Sequence, residues 1–381
     1  MTQALNIIYN VDAINHPLTG IGRYTHQLGL QLQQHSSIAD LKLYSGGQWP
    51  DNFESLADNN RWLSRARRFI PFKGLALRAY QKQRSRGLQR LKASLNDYIL
   101  HSPNFILMPF EGPSLATIHD LSYIHYRHTQ PKYRLQFLDR EIPKTLAQAQ
   151  QIITVSETIK SELISTYGLP EDQISVTYLG VDQRFNPLTE TDCQEVLTTF
   201  DLSHRQYFLA VATREPRKNL IRLIQAYGEL TCKLKNQYPL VLVGDRGWLN
   251  HELNQLIQQH RHNIRLTGYI DQSQLHQLYA AGTMTLMPSL YEGFGLPIIE
   301  SMACGTPVMT SDVGAMAEVA GGHALLCRPL EVDDMQEKLQ WAIDNPEWRQ
   351  QAAVNGLNHS RQFTWQHCAE ATIEAYKKAT Q

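Results

Sequence analysis

The sequence predicts an α/β protein made of two doubly wound, Rossmann-like domains. Three observations carry that expectation. The chain has 381 residues, more than one ordinary core accommodates and enough for two domains of roughly 150–200 residues each. Short apolar runs alternate with longer amphipathic stretches along its length, the pattern of parallel strands covered by helices. A composition of 42% hydrophobic and 19% charged residues is that of an ordinary globular protein.

The elements follow in order. LNIIYNVD (5–12) reads as a strand, followed by a glycine turn and the helical GRYTHQLGLQLQQH. ADLKLYS (39–45), NDYILHS (96–102), PSLATIH (113–119) and QQIITVS (150–156) read as further strands. SETIKSELISTYGLP is a helix, with Ser156 as its cap and Gly168-Leu169-Pro170 as its stop. In the second half YFLAVAT (207–213), YPLVLVG (238–244), HNIRLTG (262–268), GTMTLMP (282–288) and TPVMTS (306–311) read as strands separated by helical patterns. DQRFNPLTETD (182–192) lacks apolar periodicity. The expected division is therefore 1–185, a linker over 186–204, a second domain over 205–360, and a C-terminal helix (361–381) packing back on the first. In such sheets ligands sit at the carboxyl ends of strands, here expected in a cleft between the domains.

Bulk properties exclude several classes. Lys+Arg and Asp+Glu both number 36, so the total charge implies no strongly charged partner. The five cysteines form no CxxC pair, which argues against a structural zinc site or a disulfide framework and for free, mostly buried thiols in a reducing cytoplasm. The N-terminus lacks the pattern of a signal peptide, and no window approaches the ~20 apolar residues of a spanning helix. The expected location is cytoplasmic, at most peripheral on the inner face of the cell membrane.

The most informative stretch is PSLYEGFGLPIIESMACGTPV (288–308). Seven residues separate Glu292 from Glu300, and Gly293 and Gly295 allow a backbone to approach a ligand closely. Pro297 suits the first turn of a helix closed by Gly305. The free N–H groups and positive end of that helix favour a phosphate or sugar hydroxyls. REPRKN adds Arg214, Arg217 and Lys218 directly after a strand. Fixed cations there would stabilise negative charge building on a departing phosphate, Arg by bidentate contact and Lys as a point charge. No Asp-x-Asp pair occurs; no metal is expected, and Asp333-Asp334 is expected to face solvent.

EGFGLPIIESMACGTPV resembles the E-x7-E signature of the family-4 glycosyltransferases. VATREPRKNL (211–220), LVGDRGW (242–248), LTGYIDQSQLHQLYAAG (266–282) and SDVGAMAEVAGG (311–322) follow in that family's order. TGIGRYT (19–25), His119-Asp120, VSETIKSELISTYGL and YLGVD (178–182) agree more loosely. The resemblance implies a GT-B fold, a nucleotide-sugar donor and retention of anomeric configuration. It places Glu300 on the ribose hydroxyls, and Glu292 with the backbone of Gly293, Phe294 and Gly295 on the donor sugar. Thr213, Arg214, Gly244, Tyr269, Ile270 and Leu296 fall in its donor-binding segments. Family members commonly carry an Arg five residues before the Lys, where this chain has Thr213; Lys218 is the firm assignment, and Arg217 and Arg214 stay open behind it.

TGIGRYT lacks the third glycine of a dinucleotide fingerprint, which argues against a nicotinamide site. The resemblance makes Gly20–Gly22 a loop that closes over the donor's diphosphate, and sets His119 beside the sugar and the reacting centre. His119-Asp120 lies at the carboxyl end of a predicted strand, and Asp120 is expected to orient the imidazole. No nucleophile triad is visible, so a single displacement with an oxocarbenium-like transition state suits these residues.

Residues 61–92 contain eleven cations and no acid, interleaved with Trp62, Phe69, Phe72 and Tyr80. This suits an anionic membrane surface, with a solvated helix near the acceptor site as the alternative. No nucleic-acid module accompanies it. The expected function is retaining transfer of a hexose, mannose or a related deoxysugar from a GDP-sugar, to a glycan or lipid-linked oligosaccharide. A UDP-sugar enzyme, a catalytically silent binding subunit, and a phosphorylase or epimerase on the same fold remain as alternatives.

Overall fold

The computed structural model describes residues 4–15, 18–54, 56, 95–244 and 251–381. The basic segment 61–92 and the DRGW part of LVGDRGW lie outside the described residues. Two compact units are present, Met1–Gly180 with Trp365–Gln381, and Val181–Thr364.

The first unit runs β1 (Leu5–Asn10), α1 (Gly20–Gln34), β2 (Ile38–Tyr44), β3 (Tyr98–Ser102), β4 (Ser114–Ile118), α2 (Ser122–His125), α3 (Lys132–Gln148), β5 (Gln151–Thr154), α4 (Glu157–Tyr167) and β6 (Ile174–Val176). All its strand pairs are parallel, in the order β2-β1-β3-β4-β5-β6. Ser156 caps α4 by accepting from the Ile159 N–H, and Gly168 ends it at φ +66°. β6 was not legible in the sequence: three residues are too few to show a period.

The second unit continues with α5 (Gln194–Thr199), β7 (Phe208–Val211), α6 (Leu220–Gly228), α7 (Cys232–Gln237), β8 (Leu240–Val243), α8 (His251–Gln259), β9 (Ile264–Gly268), α9 (Gln272–Ala281) and β10 (Met284–Met287). It then runs through α10 (Leu296–Ala303), β11 (Val308–Ser311), α11 (Gly314–Ala320), β12 (Leu325–Cys327), α12 (Val332–Asp344) and α13 (Pro346–Ser360). The chain finishes with α14 (Trp365–Ala379), which belongs to the first unit and packs on α1, β5 and β6. The second sheet is also parallel, in the order β12-β11-β10-β7-β8-β9.

Alternation explains why these strands read as continuous apolar runs. Phe208 and Ala210 of β7, with Leu240 and Leu242 of β8, bury into one cluster with α6 and α12. Tyr207, Leu209, Val241 and Val243 face the opposite way, into a second cluster with α5 and α9. Both faces are covered, so neither register position is left polar. Each fully buried Leu or Phe contributes about 1.5–3 kcal/mol by leaving water.

Residues 186–204 correct the expected linker. Cys193, Val196 and Leu197 are buried in the core of the second unit, and a six-residue helix between turn residues is too short to display its amphipathic face in sequence. Asp334 corrects a second expectation. It is buried in the first turn of α12, where its carboxylate accepts from the Arg328 backbone N–H at 2.8 Å and from the Arg328 guanidinium at 3.2–3.3 Å. All five cysteines are free; Cys232 is exposed and the other four are buried.

Candidate active site

The strand order of the second sheet reverses between β7 and β10: β8 and β9 extend one side, β11 and β12 the other. Such a switch point leaves the loops at two neighbouring carboxyl ends diverging, which opens a crevice. The loop after β7 carries Thr213 to Asn219, and the loop after β10 carries Pro288 to Gly295.

These two loops meet through charge. Glu292 is only 8% exposed. Its Oε2 accepts from Arg217 Nη1 at 2.7 Å, and its Oε1 accepts from Lys218 Nζ and from Ser289 Oγ at 2.9 Å. Burial alone would raise the pKa of this carboxyl group. The Lys218 ammonium and Arg217 guanidinium outweigh burial and hold it at about 2. Glu215 accepts from Arg217 Nε at 3.0 Å and from Thr213 Oγ1 at 2.9 Å. The Leu290 N–H donates to the Arg217 carbonyl at 2.7 Å, fixing the two loops backbone to backbone. Arg214 is placed differently. With Glu215, Arg222 and Glu252 it lines a cavity of about 350 Å³ beside the start of α6. The structure thus brings Arg217 and Lys218 together with Glu292, and sets Arg214 at a neighbouring wall.

Glu300 lies one turn inside α10, 3% exposed, and accepts from Tyr279 Oη at 3.0 Å. Gly295 caps α10 at φ +112°, a conformation glycine adopts without strain. Leu296 is the first residue of the helix, and Gly305 follows its end at φ +66°. Phe294 is buried edge-on against Phe363, with ring centroids 5.9 Å apart. At the ends of β8 and β9, Gly244 (φ +140°) donates to the Gly268 carbonyl at 3.1 Å. Tyr269 beyond it is 63% exposed. The Ile270 side chain packs into the core with Leu275 and Leu278, so only its backbone is presented to a ligand.

In the first unit His119 follows β4 and is 7% exposed. Its Nε2–H donates to the Pro103 carbonyl at 2.8 Å, and its ring meets Tyr24 edge-on at 4.8 Å. Burial lowers its pKa despite the Pro103 carbonyl and the Asp120 charge, so the ring is neutral and Nδ1 is left as an acceptor. Asp120 does not orient the imidazole. Its Oδ1 accepts from the Ser122 N–H at 2.9 Å, closing the turn into α2. The competing principle is local: an Asp carboxylate bonds the backbone two residues on. Gly20–Gly22 is likewise not a loop. Both residues belong to the first turn of α1, where Thr19 Oγ1 accepts from the Gly22 N–H at 3.2 Å.

Sequence reasoning missed Ser289, Tyr279, Pro103 and the role of Asn219. An Asn directly before a helix start reads as an ordinary N-cap, so its contacts to other loops carried no sequence signal. The Pro103 contact is a backbone carbonyl and carries no sequence signal. Among the described residues, no group of three or more His, Cys, Asp or Glu is arranged to hold a metal ion, and no helix is long and apolar enough to cross a membrane.

The family description "Glycosyl transferases group 1" matches residues 201–359, and "Glycosyltransferase Family 4" matches residues 18–185. The chain is similar to the O-antigen chain mannosyltransferase B of Escherichia coli, with 35% identity covering 98% of this chain and 100% of that one. It is also similar to the serotype-specific mannosyltransferase WbdA of Escherichia coli, with 23% identity covering 95% of this chain and 46% of that one. Among solved structures it resembles the sucrose-phosphate synthase of Thermosynechococcus elongatus, with a TM-score of 0.75 and 20% identity over 98% of each chain.

Proposed function

Given that the chain belongs to the family-4, group-1 glycosyltransferases and has their GT-B fold, we propose that it transfers mannose or a related deoxysugar from a GDP-sugar, with retention, to a glycan or lipid-linked oligosaccharide. The observation that carries this reading is the cluster of half-buried Arg217 and Lys218 around buried Glu292 at the switch point of the second sheet. Support for the sugar comes from the mannosyltransferase similar over the full chain.

In this reading Lys218 and Arg217 stabilise the charge that grows on the β-phosphate as the glycosidic bond breaks. Glu292, kept ionised by those cations, accepts hydrogen bonds from donor-sugar hydroxyls. Glu300 accepts from the ribose hydroxyls and is oriented by Tyr279. The neutral His119 offers Nδ1 as an acceptor to a sugar hydroxyl. The departing phosphate takes the acceptor's proton, so no separate base is required, and fixed cations do the work a metal would do. The enzyme acts in the cytoplasm, with residues 61–92 meeting the anionic inner face of the cell membrane.

A thermal-shift screen of GDP-, UDP- and dTDP-sugars tests the donor. Ligand at 100-fold over its dissociation constant adds about 2.7 kcal/mol of stability. GDP-mannose is expected to give the largest shift, and a larger one from a UDP-hexose would overturn the GDP assignment. NMR of the product made from an α-linked donor tests retention: an α-linkage is expected, and a β-linkage would refute it.

A further inference from the structure

We propose that Asn219 is the positioning residue of this site, holding the cationic turn of Arg217 and Lys218 in register with the loop that carries Glu292. This rests on the functional reading above and adds to it the part that fixes the geometry.

Asn219 immediately precedes α6, where an Asn side chain ordinarily accepts from the helix's first N–H groups. Here it makes no such bond. Its amide reaches instead to other loops. Nδ2 donates to the Pro288 carbonyl at 2.9 Å and to the Pro329 carbonyl at 2.5 Å, while Oδ1 accepts from Arg222 Nη1 at 3.1 Å. The Arg222 contact fixes which end of the amide is oxygen, since a guanidinium only donates. Both acceptors are backbone carbonyls of other loops, Pro288 after β10 and Pro329 after β12.

The connection to the chemistry is short. Lys218 is the residue before Asn219, and Pro288 is the residue before Ser289, whose hydroxyl bonds Glu292. The Ser289 carbonyl in turn accepts from Ser311 Oγ at 2.6 Å, tying in the end of β11. Asn219 therefore joins the carboxyl ends of β7, β10 and β12 through one side chain that is 3% exposed. Its backbone is at φ +59°, one of four non-glycine residues with positive φ among those described. Asn tolerates that region better than most residues, and the conformation turns the chain sharply between Lys218 and α6. A buried amide stripped of its partners is costly, so the three contacts hold one arrangement.

The experiment is a double-mutant cycle on GDP-mannose hydrolysis, with folding checked by thermal melting. Asn219→Gly keeps the positive φ and removes the amide. It is expected to lower kcat about 100-fold with donor KM nearly unchanged, as misplacement of reacting groups does. In a Lys218→Ala background the same substitution is expected to cost no more than about twofold, because what Asn219 positions is gone. Full kcat in Asn219→Gly, or an equal loss in both backgrounds, would overturn the inference and leave Asn219 a general structural residue. A Lys218→Ala enzyme of normal rate would instead overturn the functional reading itself, and the positioning role with it. Should the glycine variant fail to fold, the cycle runs with Asn219→Ser, which keeps one donor; a loss of about 10-fold in kcat, again absent without Lys218, is expected.

Discussion

Lys218 donates to Glu292 across 74 positions of sequence, joining the loops at the carboxyl ends of β7 and β10. That contact makes one electrostatic unit of two motifs. The carboxylate stays ionised although buried, because the cations stand against it. The cations are in turn held in one place, which is what preorganised stabilisation of a departing phosphate requires.

Lys218→Ala should therefore lower turnover by about 100-fold or more while the protein stays folded, as loss of one preorganised donor does. Glu292 keeps Arg217 and Ser289 in that variant, so no buried charge is stranded. Initial rates of donor hydrolysis, with circular dichroism on the same samples, check this. Near-normal rates would remove Lys218 from the mechanism.

Glu292→Gln should destabilise the protein at neutral pH by about 3 kcal/mol, because it leaves two cations facing a neutral amide. The pH dependence has a definite sign. The folded-state pKa, about 2, is depressed below the ordinary value of 4.5. The stabilisation from Glu292 is therefore fully present above that ordinary value and is lost as pH falls from 4.5 through about 2. Denaturant melts of parent and variant should converge over that window. A difference that stays constant down to pH 2.5 would contradict the assignment.

How much of this was legible can be argued from particular residues. Both sheets were readable apart from β6 and β12, because strands buried on two faces leave uninterrupted apolar runs such as LVLV in β8. The three-residue edge strands offered no period. At the site, Lys218, Glu292 and Glu300 stood out as charged residues beside glycine and proline punctuation. What sequence could not supply was pairing. Nothing in REPRKN says that Arg217 rather than Arg214 turns toward Glu292, since that depends on a turn at Pro216–Lys218 closed by Asn219. Asp120 misled for a local reason: beside His119 it resembles an orienting acid, yet its carboxylate accepts from the backbone N–H two residues on.

Activity should survive treatment with EDTA. In the proposed reading the Arg217–Lys218 pair, held by Glu292, supplies the positive charge that a divalent ion would otherwise bring to the diphosphate. Loss of activity with chelator, restored by magnesium or manganese, would show that an ion takes part.

The basic run at 61–92, with eleven cations and no acid, should bring the protein down with anionic but not neutral vesicles. Added salt should weaken that binding as the Debye length falls below ~8 Å. Charge reversal at Arg65, Arg67 and Arg68 should abolish it and leave donor hydrolysis unchanged. Equal sedimentation of the reversed variant would make this stretch a solvated segment and a soluble acceptor the better reading.

Two glycines expected at the donor separate packing from function. At Gly244 a Cβ would sit 2.2 Å from the Ala212 carbonyl oxygen, at φ +140°. Gly244→Ala must then move backbone at the carboxyl ends of the interior strands β7 and β8, and should cost about 3 kcal/mol or more, beyond the range of a surface substitution. Its loss of activity would say nothing about a ligand. Gly20 is the opposite case. It opens α1, and a Cβ there meets nothing within 4 Å, so Gly20→Ala should leave stability unchanged or raise it by up to about 1 kcal/mol through helix propensity. Any fall in kcat or rise in donor KM in Gly20→Ala then reports a ligand passing close to this helix end. A decline of about 10-fold is expected if a diphosphate contacts the first turn of α1. A fully active, slightly stabilised Gly20→Ala enzyme would remove α1 from the donor site.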